Sequence, residues 1–372
     1  MVYLDNAATT PMSPSVIDAM LEVMTNHYGN PSSIHNYGRD ASKIIRQSRQ
    51  TIADILEVSA HDIIFTSGGT EANNTALIGY ALANQDKGRH IITTSIEHHS
   101  VLHATEYLKN RFDFEITYIN PDENGIITTN TIKNALRDDT IIVSTMFANN
   151  ETGSLLPIKE IGEALKDHQA VYHVDAVQVT GKIPVHPKEL GIDFLSASAH
   201  KFHGPKGIGF LYSDSNKFDN LLHGGEQEDG HRPSTENIAG IVGMSQALKE
   251  SSKEYDKNFS YIENLKEDFL KTISNLNFYR NEFGPTMPHV LNLGFPNQNQ
   301  DMLLMKLDLA GIAISTGSAC TAGAIEPSHV LSAIYGENSP KLKENVRISF
   351  SEYNTKDDVN KLANKLIEIL GE

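Results

Sequence analysis

Cysteine is almost missing from this chain: Cys320 is the only one in 372 residues. A single thiol excludes an intramolecular disulfide and any all-cysteine metal site within one chain. Positive charge is also short, with 31 basic against 47 acidic residues and a formal net charge of −16. That balance argues against direct, tight binding to nucleic acid phosphates. Apolar runs stop short of the length of a membrane span, so no membrane segment is expected. The opening residues lack the basic and apolar regions of a secretory signal, which points to the cytosol. Repeats and low-complexity stretches are absent. What is present is ample apolar material, 39% of the chain, at a length that suits a large domain plus a smaller one.

Short apolar stretches at 62–66, 90–94, 114–119, 140–146, 170–174, 193–196 and 209–212 read as strands, spaced by helical stretches at 71–83, 99–109, 131–137 and 159–168. The alternation predicts an α/β fold with a mainly parallel sheet covered by helices on both faces. A long helix over 241–271, broken or bent near its middle, leads to a second alternating unit at 289–293, 301–310, 312–315, 345–350 and 356–370. The expected division is a large domain of residues 13–255 and a smaller α/β domain of residues 256–372 joined by residues 1–12.

Polar residues cluster just past the carboxyl ends of successive strands: Gly68-Gly69-Thr70, Glu97-His98-His99, Asn149-Asn150-Glu151, Asp175 with Gln178, and Ser198-Ala199-His200-Lys201. In a parallel sheet those ends share one rim, where ligands bind. Gly69 and Thr70 open a helix whose free amides suit a phosphate, although Thr70 could serve only as a cap. No Gly-Lys-Ser/Thr follows, so the turn is not a nucleotide P-loop. Asp175 ends an apolar strand, where a carboxylate requires a partner. Lys201 reads as a reactive amine, with burial and nearby cations lowering its pKa. His99 and His103 stand i, i+4, but no acidic or thiol ligand completes a metal site, and none is assigned. Cys320 lies among small residues in Gly317-Ser318-Ala319-Cys320-Thr321-Ala322-Gly323, a setting that predicts an accessible thiol on a loop rather than a core cysteine.

Ser198-Ala199-His200-Lys201 and Gly317-Ser318-Ala319-Cys320-Thr321, with Tyr3-Leu4-Asp5-Asn6-Ala7 at one end and Val346-Arg347-Ile348-Ser349-Phe350 at the other, resemble the cysteine desulfurases. These are pyridoxal-phosphate enzymes of the class V aminotransferase group, of fold type I. The likeness is to the nitrogenase-type and housekeeping iron–sulfur members. It implies that Lys201 forms the Schiff base with pyridoxal 5'-phosphate and moves the substrate's α-proton. Asp175 would pair with the pyridinium nitrogen, which makes the ring an electron sink. His98 would stack on the ring and act as acid or base. Asn150 and Gln178 would contact ring substituents. Gly69, Thr70, Ser198 and His200 would hold the phosphate. Arg347 would grip the substrate carboxylate, helped by Asn30. Cys320 would attack the sulfur of L-cysteine and keep it as a persulfide while alanine leaves.

One stretch departs from the group. Where its members carry Arg-x-Gly-Thr-x-Asn, this chain has Arg232-Pro233-Ser234-Thr235-Glu236-Asn237. In relatives the threonine reaches the phosphate of a neighbouring subunit's cofactor, so Thr235 implies a homodimer. A positive φ at Ser234 would strain that residue. Two other functions compete: a pyridoxal-phosphate lyase or aminotransferase for another amino acid, selenocysteine included, and a non-catalytic sulfur-transfer scaffold. Cys320 separates the first, and the joint presence of Lys201, Asp175, His98 and Cys320 argues against the second. The expected sulfur acceptor is a protein, either a tRNA-thiolating enzyme or an iron–sulfur scaffold. Thr321-Ala322-Gly323 and Ile96-Glu97-His98-His99 resemble members that serve tRNA thiolation.

Overall fold

A computed structural model describes residues 1–214, 217–317 and 327–371. Cys320, the catalytic thiol expected from the sequence, lies outside the described residues. The strands, in chain order, are β1 (Val2–Tyr3), β2 (Ile63–Thr66), β3 (His90–Thr94), β4 (Glu115–Ile119), β5 (Thr140–Met146), β6 (Val171–Asp175), β7 (Phe194–Ser198), β8 (Gly209–Ser213), β9 (Tyr279–Arg280), β10 (Val290–Gly294), β11 (Ile312–Ala313) and β12 (Asn345–Ser349). The main sheet has the order β2-β8-β7-β6-β5-β3-β4. Pairing is parallel from β4 through β7, and β8 runs antiparallel to both of its neighbours. Hence every strand of this sheet except β8 points the same way.

Burial on both faces follows from the composition of these strands. Every residue of β5, Thr-Ile-Ile-Val-Ser-Thr-Met, is buried. Neighbouring residues serve opposite faces, as period-two geometry requires. Ile92, Val143, Leu195 and Phe210 join one apolar core, while Ile91, Ile142, Phe194 and Leu211 join the other. The first core lies under the helices Asn36–Leu56, Ile158–Leu165 and Ile238–Ser252. The second lies under His99–Phe112 and the helical run 69–83. The middle of that run, Thr75–Gly79, takes π geometry. The helix expected over 241–271 is two helices, Ile238–Ser252 and Tyr255–Thr272, separated at Lys253 and Glu254.

A third core gathers Leu291, Leu293, Val346, Ile348, Phe269 and Leu362 around the antiparallel sheet β12-β10-β9. Val2 and Leu4 belong to it, and β1 pairs parallel with β11. The next residues cross to the main sheet: Thr10 N donates to His200 O (2.8 Å) and Ser13 N to His203 O (3.2 Å). No helix is long and apolar enough to cross a membrane among the described residues.

Candidate functional site

Because β2, β3, β5, β6 and β7 point one way, their carboxyl ends open on one rim. A cleft lies there. It is lined by Gly69, Thr70, His98, Asn150, Asp175, Gln178, Ser198, His200, Lys201 and Arg347. Ten of the residues singled out in the sequence are thus brought together. Asn30 and Thr235 do not line this cleft. Asn30 serves its own turn, its Oδ1 accepting from Ser32 N at 2.9 Å. Thr235 lines a separate pocket with Ser67, Gly207, Glu228 and Arg232.

At one end of the cleft the helical run starts at Gly69 with no side-chain cap, leaving amides open. A side chain could not replace the hydrogen at Gly69, since its Cβ would lie 2.7 Å from Val177 Cγ2. Gly68, at φ +151°, holds the turn in a conformation that glycine favours. Ser198 and His200 border the same end. Burial, followed by the charges of Lys201, Lys206 and Lys182, drives the His200 pKa down to about 4, so its ring is neutral near neutral pH. Its Nδ1 lies 3.1 Å from Thr9 Oγ1.

Deeper in the cleft, Asp175 is 5% exposed. Its oxygens accept from Asn73 Nδ2 (2.7 Å) and Val177 N (3.0 Å). The sequence reading passed over Asn73, which also donates to Ser100 Oγ (2.8 Å). The signal was available: Asn73 lies one helical turn after Gly69, on the face of the run that carries it. His98 caps the helix His99–Phe112, its Nδ1 accepting from Ser100 N at 3.1 Å. Burial is the main cause lowering the His98 pKa, with Asp175 opposing and Lys201, His99 and His329 assisting.

Lys201 lines the same cleft. Its Nζ donates to Ala7 O (2.6 Å) and Ala8 O (2.8 Å), backbone groups that the sequence did not flag. Gln178 Nε2 donates to Ala7 O as well (3.1 Å). Arg347 is 2% exposed. Its Nη2 donates to Asp5 Oδ1 and Ser315 Oγ, both 2.9 Å, and its Nη1 to Asn150 O at 2.9 Å. Its Nε is buried and finds no hydrogen-bond partner among the described residues.

Glu97, next to His98, is fully buried. Its Oε1 accepts from Thr94 Oγ1 (2.6 Å) and Met146 N (3.0 Å), while Oε2 finds no partner among the described residues. Burial pushes its pKa up to about 8. Above the ordinary value of 4.5 the unfolded chain releases this proton while the folded chain keeps it. The contribution of Glu97 to stability therefore falls as pH rises from 4.5 to about 8, by up to ~1.4 kcal/mol per unit. Glu97→Gln keeps both acceptor contacts without the titration. It is expected to exceed the parent in stability by roughly 2–4 kcal/mol near pH 7.5 and to lose that advantage toward pH 4.5. Thermal unfolding at the two pH values checks this.

The segment 227–237 borders the rim and is strained. Glu228 and Asp229 have φ near +54°, and Ser234 has φ +109°. Ion pairs hold it, Arg232 Nε to Glu71 Oε1 (2.9 Å) and Arg49 Nη2 to Glu228 Oε1 (2.6 Å). Relief of strain at Ser234 outweighs the extra freedom glycine gives the unfolded chain. Ser234→Gly is expected to stabilise the protein by about 1 kcal/mol, read as a rise in urea midpoint.

The donor set fits pyridoxal phosphate: open amides with Ser198 and His200 for a phosphate, a buried carboxylate for a ring nitrogen, and an amine in the same cleft. Among the described residues no group of three or more His, Cys, Asp or Glu could hold a metal ion.

Residues 2–362 match the family Aminotransferase class-V. "Putative cysteine desulfurase IscS 1" of Bacillus subtilis is 48% identical over 99% of this chain and 98% of its own length. "Cysteine desulfurase IscS" of Methanosarcina thermophila is 43% identical over 99% and 92%. Among solved structures, one titled "NIFS-LIKE PROTEIN" superposes with a TM-score of 0.93 at 35% identity, covering 100% of this chain and 99% of that one. Another, "SspA in complex with cysteine", gives 0.85 at 34% identity, with 95% and 100% covered. The cleft and these likenesses agree, and the chain belongs to the class-V aminotransferase family, among its pyridoxal-phosphate-dependent cysteine desulfurases of the IscS/NifS type.

Proposed function

We propose that this chain converts L-cysteine to L-alanine and holds the released sulfur on Cys320 for a protein acceptor. One observation carries the reading: Lys201, Asp175, His98 and Arg347 share one cleft, and Ser315, bonded to Arg347, leads directly into the stretch that bears the chain's only thiol. Bound there, pyridoxal phosphate supplies the electron sink that labilises bonds at the substrate's α-carbon. Gly69, Thr70, Ser198 and His200 would hold its phosphate, Asp175 its ring nitrogen, and Lys201 would anchor it covalently; Asn150 and Gln178 border its ring. Arg347, which lines the cleft, binds the substrate carboxylate through its planar guanidinium. Lys201 Nζ moves the α-proton. His98, neutral through burial, takes or returns the proton of the substrate thiol. The Cys320 thiolate then bonds to the substrate sulfur as the Cβ–Sγ bond breaks. The electron pair of that bond stays on carbon and is protonated, giving alanine.

A homodimer completes this picture. Ile17, Leu21 and Met24 form an exposed stripe at i, i+4, i+7 on the helix Pro14–Asn26, continued by Tyr28, Tyr37 and Ile34, the last 90% exposed. Thr235 and Asn30, both outside this chain's own cleft, would then serve the second subunit's site. The sulfur acceptor is a protein of tRNA thiolation or iron–sulfur assembly, since the net charge of −16 disfavours direct contact with RNA. The setting is the cytosol, where a lone thiol stays reduced.

The test is a single turnover of the purified holoenzyme with L-cysteine, following alanine and the mass of the Cys320 peptide. Alanine together with a one-sulfur mass gain supports the reading. A response of the cofactor absorbance without that gain moves the function to another pyridoxal-phosphate reaction, selenocysteine cleavage included.

A further inference from the structure

Glu151 follows Asn150 on the loop after β5, and the chemistry above leaves it unused. Its side chain is buried, 2% exposed. Its Oε2 accepts a hydrogen bond from Ser328 Oγ. The same oxygen packs against Gly317 so closely that a methyl group added there would overlap it. Gly317 and Ser328 stand on either side of residues 318–326, the stretch that carries Cys320. One carboxyl therefore touches both flanks of that stretch.

The anchor is itself well fixed. Glu151 N donates to Asn149 Oδ1 (2.8 Å), and Glu151 O accepts from Asn292 Nδ2 (3.2 Å). Beyond the flanks the chain is tied as well. Ser315 and Arg347 exchange backbone hydrogen bonds at 3.2 and 2.6 Å, and Ser328 Oγ caps the helix His329–Tyr335 by accepting from Leu331 N (3.0 Å). Burial raises the pKa of the Glu151 carboxyl, opposed by Ser328, Arg347 and His99.

We propose that Glu151 is a positioning residue that pins both ends of the Cys320-bearing stretch to the loop after β5, and so sets where the thiol can act. Fixing the two ends limits the conformations open to the residues between them. It also favours the attack geometry on which rates depend steeply. The inference rests on the reading of Cys320 as the residue that takes up the sulfur, but the labelling arm of its test does not.

Because Cys320 is the only cysteine, the rate of maleimide labelling of the holoenzyme reports on that residue alone. Glu151→Ala is expected to speed labelling at least ~3-fold and to slow single-turnover persulfide formation ~10-fold or more, with the cofactor absorbance and the KM for L-cysteine kept. Glu151→Gln, which keeps the bond to Ser328, should behave like the parent in both assays. Gly317→Ala presses on the same contact from the other side and should reproduce Glu151→Ala. Combined, the two should be no worse than either alone. Gly317→Ala also serves should Glu151→Ala fail to fold. Labelling of both single variants within twofold of the parent overturns the proposal, as does a fully additive double variant. If the parent itself forms no persulfide, the desulfurase reading fails while labelling still decides the clamp.

Discussion

Replacing Cys320 with serine is expected to lower alanine formation from L-cysteine by on the order of 10³-fold or more. The size follows from the composition. No second thiol exists in the chain to take over, and a hydroxyl at this position is a far weaker nucleophile than a thiolate. The groups proposed to bind the substrate are untouched: Arg347 with its bonds to Asp5, Ser315 and Asn150, and the cleft walls at His98 and Asp175. The variant should therefore still change its cofactor absorbance on adding L-cysteine, at an unchanged half-saturating concentration. Loss of turnover with retention of that response is the expected signature. A Cys320→Ser enzyme that makes alanine at the parent rate would place the chain among lyases that need no thiol.

Lys201→Ala is expected to be at least as damaging, on the order of 10⁴-fold in kcat. On the proposed reading it removes a covalent anchor and a proton carrier together. Gly69, Thr70, Ser198, His200 and Asp175 remain, so cofactor should still be retained, but without a bond to the protein. After borohydride reduction and denaturation the parent should keep the cofactor on the peptide containing Lys201, and the variant should release all of it. Cofactor fixed to another lysine, or kcat within tenfold of the parent, would contradict the role given to this amine.

The fold was legible because the apolar strands are short, regularly spaced and bounded by glycine and polar residues. For β5 a run of seven residues announces burial on both faces. The cleft was legible because a parallel sheet brings strand ends together, so proximity could be argued without coordinates for Asp175, His98 and Lys201. The rest was hidden for physical reasons. Ala7 and Ala8 act through carbonyl oxygens that every residue has, and nothing in an alanine side chain advertises that use. Glu97 and Glu151 fall on the rim with their neighbours, but their burial was not legible. Their burial comes from distant segments such as Met146 and Ser328, which a local pattern does not reveal. The break at Lys253 and Glu254 falls in Ser-Ser-Lys-Glu, with no proline or glycine to fix its place. Asn30 and Thr235 are plain in sequence, yet one chain alone does not bring them to its own cleft.

The strand β1 has a consequence for how Lys201 is held. Val2 pairs with Ile312, and Asn6 reaches Ser349 and Asn354. Ala7 and Ala8, just beyond, receive the amine of Lys201. Val2 and Asn6 thus take partners more than three hundred positions away along the chain. The main sheet is built from residues 63–213, but the backbone oxygens beside Lys201 sit on a segment tied to residues 312–354. The seat of the amine therefore couples the two sheets: the strap that holds Lys201 is itself held, at its other end, by β11 and the end of β12.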